Sequence, residues 1–149
     1  MKRLGIGDLK FVEEVFFHED VYPYIVDDNG IDTQAIFTML ANSRFLLLSP
    51  NRYTIFIFER RTNTTAEGHT IVLPAGRGAD AIAAGKETLE WLWGNTAYKK
   101  VIGFTPVYNK RAQVFNERLG FIREGLCSSS FVFNGKLHDQ IIYGISKEN

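Results

Sequence analysis

From Glu67 onward the 149-residue chain passes twice from a strand pattern to a helix pattern and then closes on one long hairpin, an order that leaves few ways to build a domain. The strand over residues 67–73 precedes a helix over 79–96, in which Ile82, Leu89, Leu92 and Trp93 share one face and Gly94-Asn95 supplies a stop. Residues 101–107 then read as a buried strand and 110–119 as a second helix. Residues 121–145 read as two strands turning at Asn134-Gly135. Asn-Gly marks a tight hairpin because a type I′ turn needs positive φ at both central positions. A helix between two strands of one sheet carries the chain back across it, whereas hairpins pair strands antiparallel, so a mixed sheet is expected.

The first half is built differently. Asp8 is placed to cap a helix in which Leu9, Val12 and Phe16 recur at helical spacing, and Asp32 to cap another carrying Ala35, Ile36, Met39 and Leu40. The apolar run 45–48, the turn Ser49-Pro50-Asn51-Arg52 and the alternating stretch 53–58 read as a hairpin, which the polar loop 62–65 connects to the next strand. No repeat, low-complexity tract or linker divides the sequence, so one domain over residues 1–149 is expected. The composition supports one core: 45% of residues are hydrophobic, with 12 Phe, 6 Tyr and 2 Trp.

Lys plus Arg equals Asp plus Glu at 17 each, so no overall field favours nucleic acid or an anionic membrane, and a charged partner must be recognised locally. Cys127 is the only cysteine and has no internal disulfide partner, which suits a reducing compartment. There is no stretch of about 18 apolar residues to span a membrane, and Met1-Lys2-Arg3 is not followed by the apolar run of a signal peptide. A cytoplasmic protein is expected. No metal is expected either, because His18-Glu19-Asp20 and His138-Asp139 hold adjacent residues whose side chains point apart.

The segment Val72-Leu73-Pro74-Ala75-Gly76-Arg77-Gly78 takes a strand into a Gly-rich turn and then a helix, a geometry that brings backbone N–H groups and the positive end of a helix to a phosphate. It resembles the central motif of the GNAT (GCN5-related N-acetyltransferase) superfamily, V-x-P-x-x-R-G-x-G-x-A, met here at Val72, Pro74, Arg77 and Gly78. Asp80 stands at that motif's second glycine and Ile82 at its small residue. About 30 residues on, Asn109-Lys110-Arg111-Ala112-Gln113-Val114-Phe115-Asn116-Glu117-Arg118-Leu119-Gly120-Phe121 resembles the later motif N-x-x-A-x-x-F-x-x-x-L-G-F. The likeness runs through Arg123-Glu124-Gly125 to Gly135, Asp139 and Tyr143, a tail similar to that of the ribosomal-protein N-terminal acetyltransferases. Small phage-encoded GNAT-like proteins are also similar, since they keep the segment Tyr108 to Ala112 without the full glycine pattern.

The resemblance implies an α/β (α+β) fold with a mixed, mostly antiparallel sheet of six to seven strands, about four flanking helices and a splayed strand pair forming a cofactor cleft. It implies acetyl-CoA as co-substrate, and an amine acceptor that is a small molecule or a protein N-terminus. Main chain at Thr70, Val72 and Leu73 would bind the pantetheine arm, with the Thr70 N–H polarising the thioester carbonyl. Arg77, Gly78 and Ala79 would cradle the pyrophosphate, and Asn109, Ala112 and Phe115 would line the other wall. Lys110-Arg111 would be in reach of the 3′-phosphate.

Glu67 and His69 are the candidate bases. Asn116 occupies the position of the family's proton-donating tyrosine, and an amide has no proton to give at neutral pH, which turns attention to Tyr108 and Tyr143. For the acceptor, the first helices supply Tyr22, Tyr24, Asp27, Asp28 and Phe37, of which the acids read equally as a turn. A homodimer through the final hairpin is a further expectation. Three functional classes stay open at this point: an N-acetyltransferase, a non-catalytic acyl-CoA-binding module, and a structural or interaction protein of viral type that keeps only the fold.

Overall fold

Turn chemistry sets the register at both hairpins. Asn134 and Gly135 take φ values of 53° and 71°, the left-handed pair that a two-residue turn requires, and this fixes Phe133 opposite Lys136. The two strands so joined are β6 (Ile122–Phe133) and β7 (Lys136–Ser146). The earlier hairpin joins β2 (Phe45–Asn51) to β3 (Thr54–Arg60). Its turn lies at Arg52-Tyr53, with Asn51 opposite Thr54, two residues beyond the expected position. The strand runs on because Pro50, which cannot donate to a ladder, falls inside an irregularity between Leu48 and Asn51.

The computed structural model describes residues 1–148, which also form β1 (Lys2–Arg3), α1 (Leu9–Phe16), α2 (Tyr22–Ile25), α3 (Thr33–Ala41), β4 (Thr65–Val72), α4 (Ala79–Asn95), β5 (Lys100–Pro106) and α5 (Lys110–Leu119). The seven strands lie in the order β1-β2-β3-β4-β5-β7-β6, and β4 with β5 is the parallel pair among antiparallel ones. This is the mixed α/β sheet that the alternation of elements demanded. Neither β1 nor α2 was anticipated: two residues are too few for a strand period, and α2 begins on a Tyr-Pro pair that reads as a turn.

Strand alternation sends successive side chains to opposite faces and so makes two cores. On one face Val12, Val15 and Phe16 of α1 and Ile36 of α3 pack on Leu47, Ile55, Ile57 and Ile71. On the other, Ala84, Leu89 and Leu92 of α4 cover Leu48, Phe56, Phe58, Ala66 and Val101. Asp32 caps α3 through the Ala35 amide at 2.9 Å. Asp8 does not cap α1: its carboxylate accepts from the Gly5 amide at 2.9 Å and pairs with Lys2 at 2.8 Å, closing the tight turn before the helix.

The turn between β4 and α4 is seated on the β2–β3 turn. The Leu73 amide donates to the Tyr53 carbonyl at 2.8 Å, and a Cβ added at Gly76 would lie 2.5 Å from the Cβ of Tyr53, an atom fixed to backbone. Gly76→Ala is therefore expected to destabilise the fold by about 1–3 kcal/mol through overpacking. Gly94→Ala, in α4 with nothing within 4 Å of the new methyl, should be neutral or stabilising by up to about 1 kcal/mol. Urea unfolding of the two variants side by side checks both.

Candidate active site

β4 and β5 are laddered over three pairs only, Thr65 with Lys100, Ala66 with Val101 and Glu67 with Ile102. Beyond them each strand continues beside its outer neighbour, β4 along β3 to Val72 and β5 along β7 to Pro106, so the two diverge. The gap opens into a cleft of about 1480 Å³. Backbone direction follows from its ends. The Thr65 carbonyl and the Leu73 amide both face the β3 side, where they meet Arg61 and Tyr53, and the Thr64 carbonyl faces Lys99 and Lys100 on the other. Alternation along an unbroken register then turns the amides of Gly68, Thr70 and Val72 into the gap. Leu73 is a correction: its amide is spent on Tyr53 and its side chain packs with the α1–α3 core, so it offers the cleft no hydrogen bond.

At the wide end, Gly78 takes φ 87° and starts α4 with no side-chain cap; the Ala81 and Ile82 amides bond back to its carbonyl. The first amides of α4 are left facing outward at the positive end of a 17-residue helix. The Arg77 guanidinium donates to the Asp20 carbonyl at 2.7 Å. Burial and the nearby Arg111 both push Arg77 below its ordinary pKa, with the Asp20 charge acting in the opposite sense. Arg77 and Arg111 both line the cleft near these uncapped amides, a set of donors and charges of the kind that suits an anion. Asp80 is exposed and bonds none of these amides, which leaves the turn open.

The far wall comes from α5. The Asn109 side chain caps that helix by accepting from the Ala112 amide at 3.1 Å, and Asn109, Ala112, Phe115 and Asn116 line the cleft. The Asn116 amide donates to the Thr105 hydroxyl at 3.0 Å, and Thr105 is itself buried at the cleft wall. Tyr143 is excluded as a stand-in proton donor: it is fully buried outside the cleft and its hydroxyl donates to Glu117 at 3.2 Å. Tyr108 does line the cleft, with burial pushing its phenol upward from the usual pKa.

Glu67 and His69 project from the α1–α3 face of β4, on the same side as Ile71. His69 Nε2 lies 2.8 Å from Glu67 Oε2, and Arg61 binds Glu67 Oε1 at 2.5 Å. The His69 hydrogen bond, followed by that from Arg61, outweighs burial and lowers the Glu67 pKa from 4.5 to about 2. A carboxylate held so low is a weak base, whereas its partner His69 is about half exposed and lines the cleft. Arg61 gave no sequence signal; at the start of a polar loop it reads as solvated charge.

On that same face the final hairpin adds an aromatic group. Tyr108 stacks on Phe133 with centroids 5.5 Å apart, meets His138 edge-on at 4.7 Å and lies 6.5 Å from Phe131. Asp28 is a turn residue: its carboxylate accepts from the Asn134 and Gly135 amides at 2.8 Å each, and its own amide donates to the Val132 carbonyl. Asp27 accepts from the Asn29 amide, Tyr22 bridges to Ile31 through its hydroxyl, and Phe37 lies outside the cleft. Tyr24 lines the cleft beneath the Arg111 guanidinium, 5.4 Å from its ring centre.

Among the described residues no three His, Cys, Asp or Glu side chains come together as a metal set. Asp139 accepts from the Ser129 amide, and His18 from the Asp20 amide. Cys127 is half-buried. No helix among the described residues is long and apolar enough to cross a membrane.

Comparison places this architecture among known folds. The family model described as "Protein of unknown function (DUF2824)" matches residues 27–149. No curated protein matches the sequence. Among solved structures, the chain is similar to spermidine N-acetyltransferase from Vibrio cholerae in complex with CoA and spermine, at 18% identity and TM-score 0.80, covering 98% of this chain and 94% of that one. It is similar to a GNAT-family acetyltransferase from Bacillus anthracis at 18% identity and TM-score 0.75, covering 99% and 94%. It is also similar to the ribosomal-protein-S5-alanine acetyltransferase from Vibrio fischeri at 12% identity and TM-score 0.77, covering 99% and 92%. The fold is that of the GNAT acetyltransferases.

Proposed function

The chain belongs to the DUF2824 family of proteins of unknown function, and from the GNAT fold and the cleft within it we infer that it is an acyltransferase moving the acetyl group of acetyl-CoA to a primary amine. The observation that carries this reading is the parting of β4 from β5 after three residue pairs, with the Thr70 and Val72 amides turned into the gap. Such an edge accepts an extended chain of amides as an added strand would, which suits pantetheine. The Arg77 and Arg111 guanidiniums and the open start of α4 suit its pyrophosphate, with Gly78 and Ala79 contributing main chain. The similar Vibrio cholerae enzyme holds CoA and an amine together, which supports the same pairing of substrates here.

In this reading the Thr70 N–H donates to the oxygen on which negative charge develops as the amine attacks the thioester carbonyl. His69, fixed through Nε2 by Glu67, takes the amine proton at Nδ1. Asn116 gives no proton; it holds the Thr105 hydroxyl, whose own hydrogen is left to bond the departing thiolate. A small-molecule amine and a protein N-terminus are both acceptors of this chemistry. A homodimer would use the free edge of β6, where Ile122 and Leu126 are 63% and 58% exposed.

Thermal unfolding with acetyl-CoA tests the reading. A ligand at a hundred times its Kd stabilises by about 2.7 kcal/mol, and Arg77→Ala should raise the Kd about tenfold by removing one charged hydrogen-bond donor from the pyrophosphate. Binding with thiol release on adding amines is the expected result. Binding without release against any amine would leave an acyl-CoA-binding module. No binding at all would leave a structural or interaction protein of viral type.

A further inference from the structure

The acceptor half of the cleft is poor in free negative charge. Among the described residues two carboxylates line the cleft, Asp20 and Glu67. Glu67 is held between Arg61 and His69, and Asp20 sits at the phosphate end of the cleft, where its main-chain carbonyl accepts from Arg77. The acids that the sequence offered as a lure for cations are engaged elsewhere: Asp28 on the hairpin amides and Asp27 on the Asn29 amide. Away from Asp20 at the phosphate end, a polycationic acceptor would meet no unpaired carboxylate lining this region, and a desolvated ammonium without a partner is costly.

What this half of the cleft offers instead is apolar surface. Ile25, Ile31, Met39 and Phe45 face it from the first helices and β2, and Phe131 and Phe133 from the hairpin. Register places the hairpin aromatics on the same side of the sheet as His69: Phe131 pairs with His138, and Gln140 pairs with Pro106 on β5, whereas Tyr143 and Ile145 face the opposite side. Two hydrogen bonds accepted by Asp28 and one donated by it tie the loop that carries Ile31 to the hairpin tip that carries Phe133, so two walls of the trough are bridged. A bridged apolar trough suits a small molecule better than a polypeptide, which needs room to leave the site.

Resting on the acetyl-transfer reading, we propose that the acceptor is a small primary monoamine carried on an aromatic or aliphatic body, of the phenethylamine type, and that polyamines are rejected. The amine lone pair forms the new C–N bond to the thioester carbonyl, the C–S bond breaks with its electron pair leaving on the CoA sulfur, and the proton lost from nitrogen passes through His69 to solvent. The products are the N-acetyl amide and CoA, with no oxidant or reductant required.

The test compares phenethylamine, hexylamine, spermidine and a peptide with a free N-terminus. It reads thiol release with acetyl-CoA and, independently of chemistry, calorimetric binding of each amine to protein saturated with CoA. The expected result is a kcat/KM for phenethylamine at least tenfold above that for spermidine. Phe133→Ala should weaken phenethylamine binding by tenfold while leaving the acetyl-CoA Kd unchanged. Spermidine or the peptide matching phenethylamine in either readout overturns the proposal, as does failure of every amine to bind the CoA-saturated protein. If acetyl-CoA itself does not bind, the transfer reading fails first and this one falls with it; if it binds and spermidine is the better acceptor, only this one falls.

Discussion

Thr70→Pro is expected to lower the turnover of acetyl-CoA by roughly 100- to 1000-fold, the loss that follows removal of one oxyanion donor, while the protein stays folded. The Thr70 amide faces the gap beyond the last β4–β5 pair, so proline removes no ladder bond there, and edge positions of this kind tolerate it. Proline also asks that the residue before it be extended, and His69 already lies in a strand. Ile71→Pro is the contrast. That amide faces β3 and its side chain is 3% exposed in the α1–α3 core, so the same substitution one residue along should cost about 3 kcal/mol or more. Thr70→Ala, which keeps the N–H, should stay near wild-type turnover. The measurement is thiol release beside thermal unfolding for all three variants. Wild-type turnover in Thr70→Pro would remove the Thr70 amide from the mechanism, and unfolding as severe as that of Ile71→Pro would mean that the gap is zipped shut in solution.

That contrast rests on a distinction the sequence carries only in part. The strand over residues 67–73, its Gly-rich exit and the helix after it were legible because each has a local signature: alternation, glycine and a 3.6-residue apolar period. The parting of β4 from β5 has none. It depends on β5 being pulled towards β7 and β4 towards β3, a balance of ladders spread over strands far apart in sequence. The resemblance to acetyltransferases supplied it as an expectation and the register then located it after Glu67 and Ile102. Asn134-Gly135 was readable to the residue because a two-residue turn admits few others. The β2–β3 turn was misplaced because Ser-Pro-Asn is itself good turn chemistry and nothing local says that the strand continues through it.

Among the site residues, main-chain roles were the most legible and side-chain partnerships the least. Period two puts Thr70 and Val72 on one edge from the sequence alone, and it also implies that Leu73 belongs to the other edge, as its bond to Tyr53 confirms. Asp28 illustrates the opposite case. Its neighbours make it a turn residue or a lure for cations, and only the docking of a hairpin tip more than 100 residues away decides for the first. The pairing of Asn116 with Thr105 is likewise a contact between two elements. Glu67 and His69 are two apart on one strand and so share a face, yet their partner Arg61 arrives from the preceding loop and changes what Glu67 can do.

Because of that partner, the stability of the protein should fall with acid in a window set by Glu67. Its carboxylate has a pKa of about 2 in the fold against 4.5 for the ordinary side chain, through the hydrogen bond from His69 and then that from Arg61. Between these values the unfolded chain takes up a proton that the folded one refuses, so stability is greatest above pH 4.5 and is lost progressively as the pH falls towards 2. The full difference corresponds to roughly 3 kcal/mol at neutral pH, little screened by solvent because the Glu67 side chain is only 11% exposed. Glu67→Gln keeps the shape and an accepting oxygen but removes the charge. It is expected to be less stable than wild type by about 2–3 kcal/mol at pH 7, with the gap narrowing below pH 4.5 as the wild-type protein loses the same stabilisation. Urea unfolding of both proteins at pH 7, 5, 4 and 3 reads the effect. A gap that stays constant across that range would show that the variant suffers from packing rather than lost charge, and would release Glu67 from the role of holding His69 by its charge.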